Sequence, residues 1–139
     1  MNKIVSLLAL LSCSVFAQRY DLSCIKGKHQ CSTTPCITII VNNKTKGKIH
    51  VEGQIEAALS AAARTFHDGN FDFMQMFDTG VTSCHVPIGS WGKLAKHVNV
   101  NLSQIGASAR CAVFLPKSAV NSNGVYYADF NNGACIITQ

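Results

Sequence analysis

Residues 89–115, GSWGKLAKHVNVNLSQIGASARCAVFL, decide the fold that this sequence predicts. Ser90 is placed to cap the start of a helix and Gly106 to end it. The run CAVFL at residues 111–115 then indicates a short strand that a disulfide can anchor. Between the two caps, apolar residues recur at helical spacing and indicate one apolar face: Trp91, Leu94, Ala95, Val98, Leu102 and Ile105. We therefore expect a helix, a turn and a strand in this order.

A second helical pattern covers residues 52–66, where apolar residues again share one face. The dipeptide Asn132-Gly133 predicts a tight hairpin near the C-terminal end, because both positions tolerate positive φ. Short apolar or alternating runs predict further strands at residues 36–41, 71–77, 81–86, 124–130 and 134–138. Two amphipathic helices against an antiparallel sheet predict an α+β fold, a two-layer α/β sandwich stabilised by disulfides.

The beginning of the chain has the pattern of a signal peptide. Lys3 gives a positive start, an apolar run follows, and Val15-Phe16-Ala17 supplies small residues for a signal peptidase. The apolar run is too short to span a membrane. We therefore expect residues 1–17 to be removed and residues 18–139 to form one secreted domain.

Six cysteines remain after the predicted signal peptide, and in an oxidising compartment they predict three disulfides. They are Cys24, Cys31, Cys36, Cys84, Cys111 and Cys135. The spacing alone leaves the connectivity open. No pair has Cys-x-x-Cys spacing and the histidines are scattered, so the sequence predicts no metal site.

The charge distribution indicates where a partner could bind. The formal net charge is +5, and it falls to +4 when Lys3 is removed. Basic residues are concentrated in residues 18–51, which favours an anionic partner such as a cell wall, a membrane surface, an acidic channel mouth or nucleic acid. Simple solvation of a loop is the competing interpretation. The candidate target-binding residues are Lys26, Lys28, Lys44, Lys46 and Lys48, together with Lys93, Lys96 and His97 on the outward side of the predicted central helix.

Two N-glycosylation sequons are present. Asn43-Lys44-Thr45 lies in a predicted polar turn, so Asn43 is the candidate glycosylation site. Asn101-Leu102-Ser103 lies within the predicted central helix, which argues against its use.

The sequence predicts no catalytic residue and no cofactor. A small secreted ribonuclease would need a general base, a general acid and a cation for the phosphate. His85, Arg110 and Asp72 are the candidates for such a set, but nothing in their spacing ties them together. No Gly-x-Ser-x-Gly elbow or glycine-rich phosphate loop is present. A ribonuclease-like domain, active or degenerate, is the alternative hypothesis, and nucleic acid is not expected as a partner.

A carbohydrate-binding or wall-binding module is a third hypothesis. It is supported by Trp91, Tyr126, Tyr127 and the lysines. Trp91 lies on the apolar face of the predicted helix, so we expect it in the core and not on a sugar-binding surface.

The order of cysteines and elements gives one resemblance. Cys24 and Cys31 open the chain, Cys84 lies in a strand, Cys111 follows the central helix, and a strand that begins at Gly124 comes before the final cysteine, Cys135. This order resembles the killer-protein-four-type family of fungal killer toxins, small secreted proteins with relatives among fungal effectors. The resemblance implies an α/β sandwich, a Cys84–Cys135 bridge, and a bridge from Cys111 to Cys24 or Cys31.

The resemblance also suggests interference with calcium channels. In the family, a lysine in the strand region before the central cysteine is singled out, whereas residues 70–83 of this chain contain no lysine or arginine. The channel-blocking mechanism therefore does not carry over residue by residue. We expect a monomeric, non-enzymatic, secreted toxin or effector that binds a cell-surface or membrane protein, such as an ion channel, or a cell-wall component.

Overall fold

The computed structural model describes residues 22–32, 36–59, 70–88, 91–120 and 124–139. The predicted signal peptide lies outside these residues. Nine strands make up most of the described chain: β1 Ser23–Lys26, β2 Cys36–Asn43, β3 Ile49–Leu59, β4 Asn70–Phe77, β5 Gly80–Pro87, β6 Ala95–Gln104, β7 Arg110–Pro116, β8 Val125–Asn131 and β9 Ala134–Thr138. The described helices are two single turns, α1 Trp91–Leu94 and α2 Lys117–Val120.

The strands form two sheets. The five-stranded sheet has the order β1-β5-β2-β8-β9, and the four-stranded sheet has the order β4-β3-β6-β7. Neighbouring strands are antiparallel except for β2 and β8, which run parallel with Thr38 opposite Val125. One cluster of buried residues draws on both sheets, so the two pack face to face as a β-sandwich.

The α+β prediction is wrong, because most of the predicted central helix is strand β6. Val98, Val100 and Leu102 occupy alternate positions, and none is more than 2% exposed. On a helix, Val100 would lie about 200° around the axis from Val98 and would face solvent. A strand buries all three, and this outweighs the helical spacing of the flanking residues. The predicted cap of this helix, Ser90, lies outside the described residues.

The predicted first helix, residues 52–66, is also wrong as far as the structure describes it. The chain is in strand β3 up to Leu59, and the residues that follow lie outside the described part. Val51, Gly53 and Ile55 are buried along one face of β3. Their period of two is hard to see in the sequence, because the middle residue is a glycine.

The C-terminal hairpin is confirmed. Strands β8 and β9 pair antiparallel, with Asn131 opposite Ala134. The two turn residues have the positive φ that the hairpin requires, 46° at Asn132 and 81° at Gly133. The other short runs predicted as strands lie within β2, β4, β5 and β7.

Residues 27–32, here called the strap, cover the outer side of β2 and β5 in the five-stranded sheet. The hydroxyl of Ser83 on β5 accepts a hydrogen bond from the N–H of His29 at 2.8 Å. The N–H of Cys31 donates to the hydroxyl of Thr38 on β2 at 3.1 Å. Thr38 and Ser83 are consequently buried, and β2 is buried on both of its faces.

Asn43 holds the turn that carries the chain from β2 to β3, and so from one sheet to the other. Its side-chain N–H₂ donates to the carbonyl oxygens of Gly47 at 2.8 Å and Phe77 at 3.2 Å. Its side-chain oxygen accepts from the N–H and the hydroxyl of Thr45. Asn43 is only 2% exposed. Its glycosylation stays a prediction, and in the folded chain a glycan would replace one of the two donors.

Three disulfides join all six predicted cysteines, which indicates an extracellular or otherwise oxidising environment. The pairs are Cys24–Cys84, Cys31–Cys36 and Cys111–Cys135. The first joins directly opposite residues of β1 and β5. The second ties the strap to the start of β2. The third joins β7 to β9 and thereby links the two sheets covalently.

The pairing that the resemblance implied is wrong. Cys84 pairs with Cys24, and Cys111 pairs with Cys135 and with neither Cys24 nor Cys31. In the strand order, β5 and β9 are three positions apart, so about 14 Å separates them at the usual strand spacing. A disulfide requires Cα atoms within about 7 Å, which excludes a Cys84–Cys135 bridge in this sheet.

Replacing both cysteines of a bridge by alanine is expected to lower the free energy of unfolding. The loss should be larger for the bridge that closes the longer loop. The bridges close loops with sequence separations of 60, 24 and 5 residues for Cys24–Cys84, Cys111–Cys135 and Cys31–Cys36. Chain entropy then gives losses of about 4, 3.5 and 2 kcal/mol. Guanidinium denaturation of the three double variants measures this order. Peptide mapping of the unreduced protein is the direct control, and recovery of any other pair would contradict the topology.

Gly53 is required by the packing of β3 against β4. It lies directly opposite Phe73, and a Cβ at this position would overlap the Phe73 ring. Phe73 is only 7% exposed, so its ring has little room to move away. The aromatic ring covers the glycine and fills the space that a side chain would occupy.

The variant Gly53→Ala is therefore expected to lower the free energy of unfolding by about 1–3 kcal/mol through overpacking. Gly47→Ala is the matched control, because a Cβ there meets no atom within 4 Å. Urea denaturation of both variants measures the difference. Equal stability of the two variants would contradict the contact between Gly53 and Phe73.

Candidate functional site

The outer face of the four-stranded sheet is exposed, in contrast to the outer side of β2 and β5, which the strap covers. The exposed residues include Glu52 and Gln54 on β3, Asn101 on β6, and Arg110 and Ala112 on β7. Because successive side chains of a strand point to opposite faces, their outward direction follows from the same period of two that builds the core.

The strand register aligns the outward residues in two rows that run across the sheet. Directly opposite residues of an antiparallel pair have Cβ atoms about 5 Å apart, so the members of a row are neighbours. From β4 to β7, the first row is Met74, Glu52, Ser103 and Arg110, and the second row is Asp72, Gln54, Asn101 and Ala112.

The two rows line an open groove with a volume of about 790 Å³. This volume lies within the range of small-molecule binding sites. Inward-pointing residues between the rows also border the groove: Gly53, Phe73, Leu102 and Cys111. Since Gly53 has no side chain and those of the other three residues face the core, all four contribute backbone to its floor. Four strands give the groove a width of about 14 Å.

Six polar side chains of the groove have no hydrogen-bond or ion-pair partner within the described residues: Glu52, Gln54, Asp72, Asn101, Ser103 and Arg110. All are exposed or half-buried. The carboxylates accept hydrogen bonds, the guanidinium donates them, and the amides and the hydroxyl do both. The groove therefore places donors and acceptors side by side with none of them engaged inside the described fold.

The charge of the groove differs from that of the chain. Glu52 and Asp72 contribute two negative charges, Arg110 contributes one positive charge, and no lysine lines the groove. The groove thus has a formal charge of −1 within a chain of +5.

Apolar and aromatic side chains flank the groove at both ends of its strands. At one end, Met76 on β4 is 58% exposed and Ile105, which follows β6, is 43% exposed, with β3 lying between them. At the other end, Phe114 on β7 is 61% exposed. The Phe114 ring packs against the ring of His97 on β6, with the ring centroids 4.7 Å apart. Polar residues lie directly opposite these side chains, His50 opposite Met76 and Asn99 opposite Phe114. The polar rows therefore have isolated exposed apolar side chains near both ends.

Three of the predicted target-binding lysines form ion pairs at one end of the sandwich. The Nζ atoms of Lys26 and Lys48 lie 3.0 and 3.6 Å from carboxylate oxygens of Asp78. The Nζ atom of Lys44 lies 3.5 Å from a carboxylate oxygen of Asp129. The hydrogen bond and charge of Lys26, followed by the charge of Lys48, lower the pKa of Asp78. These exposed pairs neutralise part of the predicted basic surface.

The other predicted target-binding residues do not gather on one surface: Lys28, Lys46, Lys93, Lys96 and His97. Lys46 lies in the same turn as Lys44 and forms no ion pair within the described residues. Lys28 lies in the strap, with Nζ 5.0 Å from the centre of the Tyr127 ring. Lys93 is in α1, Lys96 is in β6, and His97 packs on Phe114.

The candidate catalytic set is not assembled. Asp72 and Arg110 both line the groove, whereas His85 is on β5 in the other sheet. The Nε2 atom of His85 lies 3.1 Å from the carbonyl oxygen of His29 in the strap. Within the described residues, no group of three His, Cys, Asp or Glu side chains is placed to hold a metal ion.

Sequence reasoning missed the groove because it assigned Glu52, Gln54, Asn101 and Ser103 to helices. The signal that could have identified them is the alternation of apolar and polar residues in VEGQI and VNVNLS, which belong to β3 and β6. In each run, the polar residues are the ones that face outward.

The aromatic residues considered for carbohydrate binding have other positions. Tyr126 is buried in the core at 1% exposure, and Tyr127 lies beneath Lys28. The side chain of Trp91 lies outside the described part. Burial raises the pKa of the Tyr126 phenol, and its hydroxyl has no hydrogen-bond partner among the described residues.

Tyr126→Phe is expected to raise the free energy of unfolding by up to about 1 kcal/mol, because it removes a buried hydroxyl that lacks a partner. Tyr127→Phe, at the adjacent and partly exposed position, is the control and is expected to change stability little. Thermal unfolding followed by circular dichroism measures both. A clear loss of stability in Tyr126→Phe would show that the hydroxyl is hydrogen-bonded after all.

Comparison with known proteins gives no further guide to the site. No protein-family model, curated protein or solved structure matches the chain. The resemblance to the killer toxins therefore stays an expectation. The fold and the disulfide pairing that it implied are wrong, as described above. Within the described residues, no helix has the length and apolar character needed to cross a membrane.

Proposed function

We propose that this protein is a secreted, non-enzymatic binding protein that attaches to the surface of other cells through the groove of the four-stranded sheet. The predicted signal peptide and the three disulfides support secretion. The observation that carries the proposal is the set of six polar groove side chains without a partner among the described residues.

The groove is a better contact surface than the basic surface that carries Lys26, Lys44 and Lys48. Solvated faces are common in antiparallel sheets, but this one is concave and is bordered by exposed methionine and phenylalanine side chains. Lys26, Lys44 and Lys48 already pair with aspartates, so a partner would have to displace those contacts. The groove side chains exchange only water for ligand.

Filling the groove is expected to weaken attachment to cells. Ala112→Arg places a long side chain at an exposed position within the second row. Labelled protein is incubated with intact fungal and plant cells, and bound fluorescence is measured. We expect the wild-type protein to bind at least one cell type, and Ala112→Arg to reduce binding by about tenfold or more, a loss of about 1.4 kcal/mol.

Ala134→Arg is the matched control, because it makes the same change at an exposed alanine of the five-stranded sheet. It should bind as the wild type does. A variant in which Lys44, Lys46 and Lys48 are replaced by alanine should also bind. If this lysine variant lost binding while Ala112→Arg still bound, the proposal would be contradicted. Contact through the three lysines would then be favoured. Cleavage of RNA by the purified protein would contradict a function without catalysis.

A further inference from the structure

We infer that the ligand of the groove is a neutral oligosaccharide chain on the surface of the target cell, an inference that rests on the proposed function. The six polar side chains without a partner among the described residues, the charge of the groove and the exposed side chains of Met74 and Phe114 each point to this class of ligand.

The hydrogen-bonding groups of the groove match those of a sugar. Each sugar hydroxyl both donates and accepts, so it is satisfied where acceptors and donors alternate. In the second row, the carboxylate of Asp72 is followed by the amides of Gln54 and Asn101. In the first row, the carboxylate of Glu52 is separated from the guanidinium of Arg110 by a hydroxyl. Each of these planar groups can bond two adjacent hydroxyls of one ring.

The charge of the groove excludes the main anionic alternatives. A nucleic acid or a sulfated polymer needs clustered lysine and arginine side chains to neutralise its anionic groups. The groove offers only Arg110, and its two carboxylates repel such groups. A neutral chain meets neither problem, because it can donate hydrogen bonds to both carboxylates.

The shape of the groove suits a short chain of sugar rings. Ala112 and Ser103 are small, which leaves space above β6 and β7. The exposed side chains of Met74 and Phe114 can pack on the C–H faces of sugar rings, which are apolar. A peptide bound by a sheet usually adds to an edge strand, whereas this groove lies across the face of four strands.

The inference is tested by titrating the protein with soluble neutral glycans: chitin oligosaccharides, β-glucan oligosaccharides and mannan oligosaccharides. The protein is produced without N-glycans, because the exposed Asn101 begins a sequon and lies in the groove. Calorimetry should detect binding to at least one glycan. Gln54→Glu and Asn101→Asp keep the side-chain size but remove amide donors, and each should weaken binding by about fivefold to tenfold.

Asn131→Asp is the matched control, because it changes an exposed amide in the five-stranded sheet, and it should leave the affinity unchanged. Unfolding midpoints of all the variants show whether the fold is retained. Failure of every neutral glycan to bind, or equal effects of the groove and control variants, would overturn the inference. Binding to RNA or heparin in preference to the neutral glycans would overturn it as well.

Treatment of the target cells separates this inference from the proposed function. A mixture of chitinase, β-glucanase and mannanase removes neutral glycans from the cell surface, whereas a protease removes surface proteins. We expect the glycosidases to abolish attachment and the protease to leave it intact. Loss of attachment after the protease alone would overturn the oligosaccharide ligand and leave attachment through the groove standing. Release of new reducing ends from a bound glycan would support the ligand class and contradict a function without catalysis.

Discussion

The antiparallel pairing of β3 with β6 is the interaction on which both the core and the groove depend. Its register places Gly53 opposite Leu102 and Gln54 opposite Asn101. A shift of one residue would reverse every side chain of a strand, so that Gln54 would enter the core and Ile55 would face solvent. Gly53 also fits under the Phe73 ring of β4 only in the observed register. The apolar core and the polar groove are therefore two results of one alignment.

The two outer faces of the sandwich differ because their strands differ in sequence. Strand β2 begins with the continuous apolar run CITIIV, which leaves apolar residues on both of its faces. The strap and its disulfide cover the outer face of β2. Strand β3 alternates instead, and its outward residues Glu52 and Gln54 are exposed to solvent. A covering segment would have to desolvate them, so an open face is the stable arrangement here.

The sequence predicted well what depends on neighbouring residues and poorly what depends on distant ones. The hairpin at Asn132-Gly133 was predictable because its turn residues act locally. The helix prediction failed because residues 91–105 satisfy two periods at once, and only packing against a second sheet selects the period of two. The partner of Cys84 depends on the order of strands in the sheet, which local patterns do not contain. The groove was missed for the same reason, since its residues come from four strands.

The parallel pairing of β2 with β8 bears on the order in which the chain assembles. Thr38 and Val125 meet only after most of the intervening chain has been positioned, so this contact closes a long loop. In the four-stranded sheet, by contrast, β3 pairs with β4 and β6 pairs with β7, each with its neighbour in sequence. The two halves of the face that bears the groove, β3 with β4 and β6 with β7, can therefore form early, before the pairing of β3 with β6 joins them. Until β8 and β9 dock, β2 lacks one neighbour and Cys111 lacks its partner, and this is the stage most open to aggregation and to exchange of thiols.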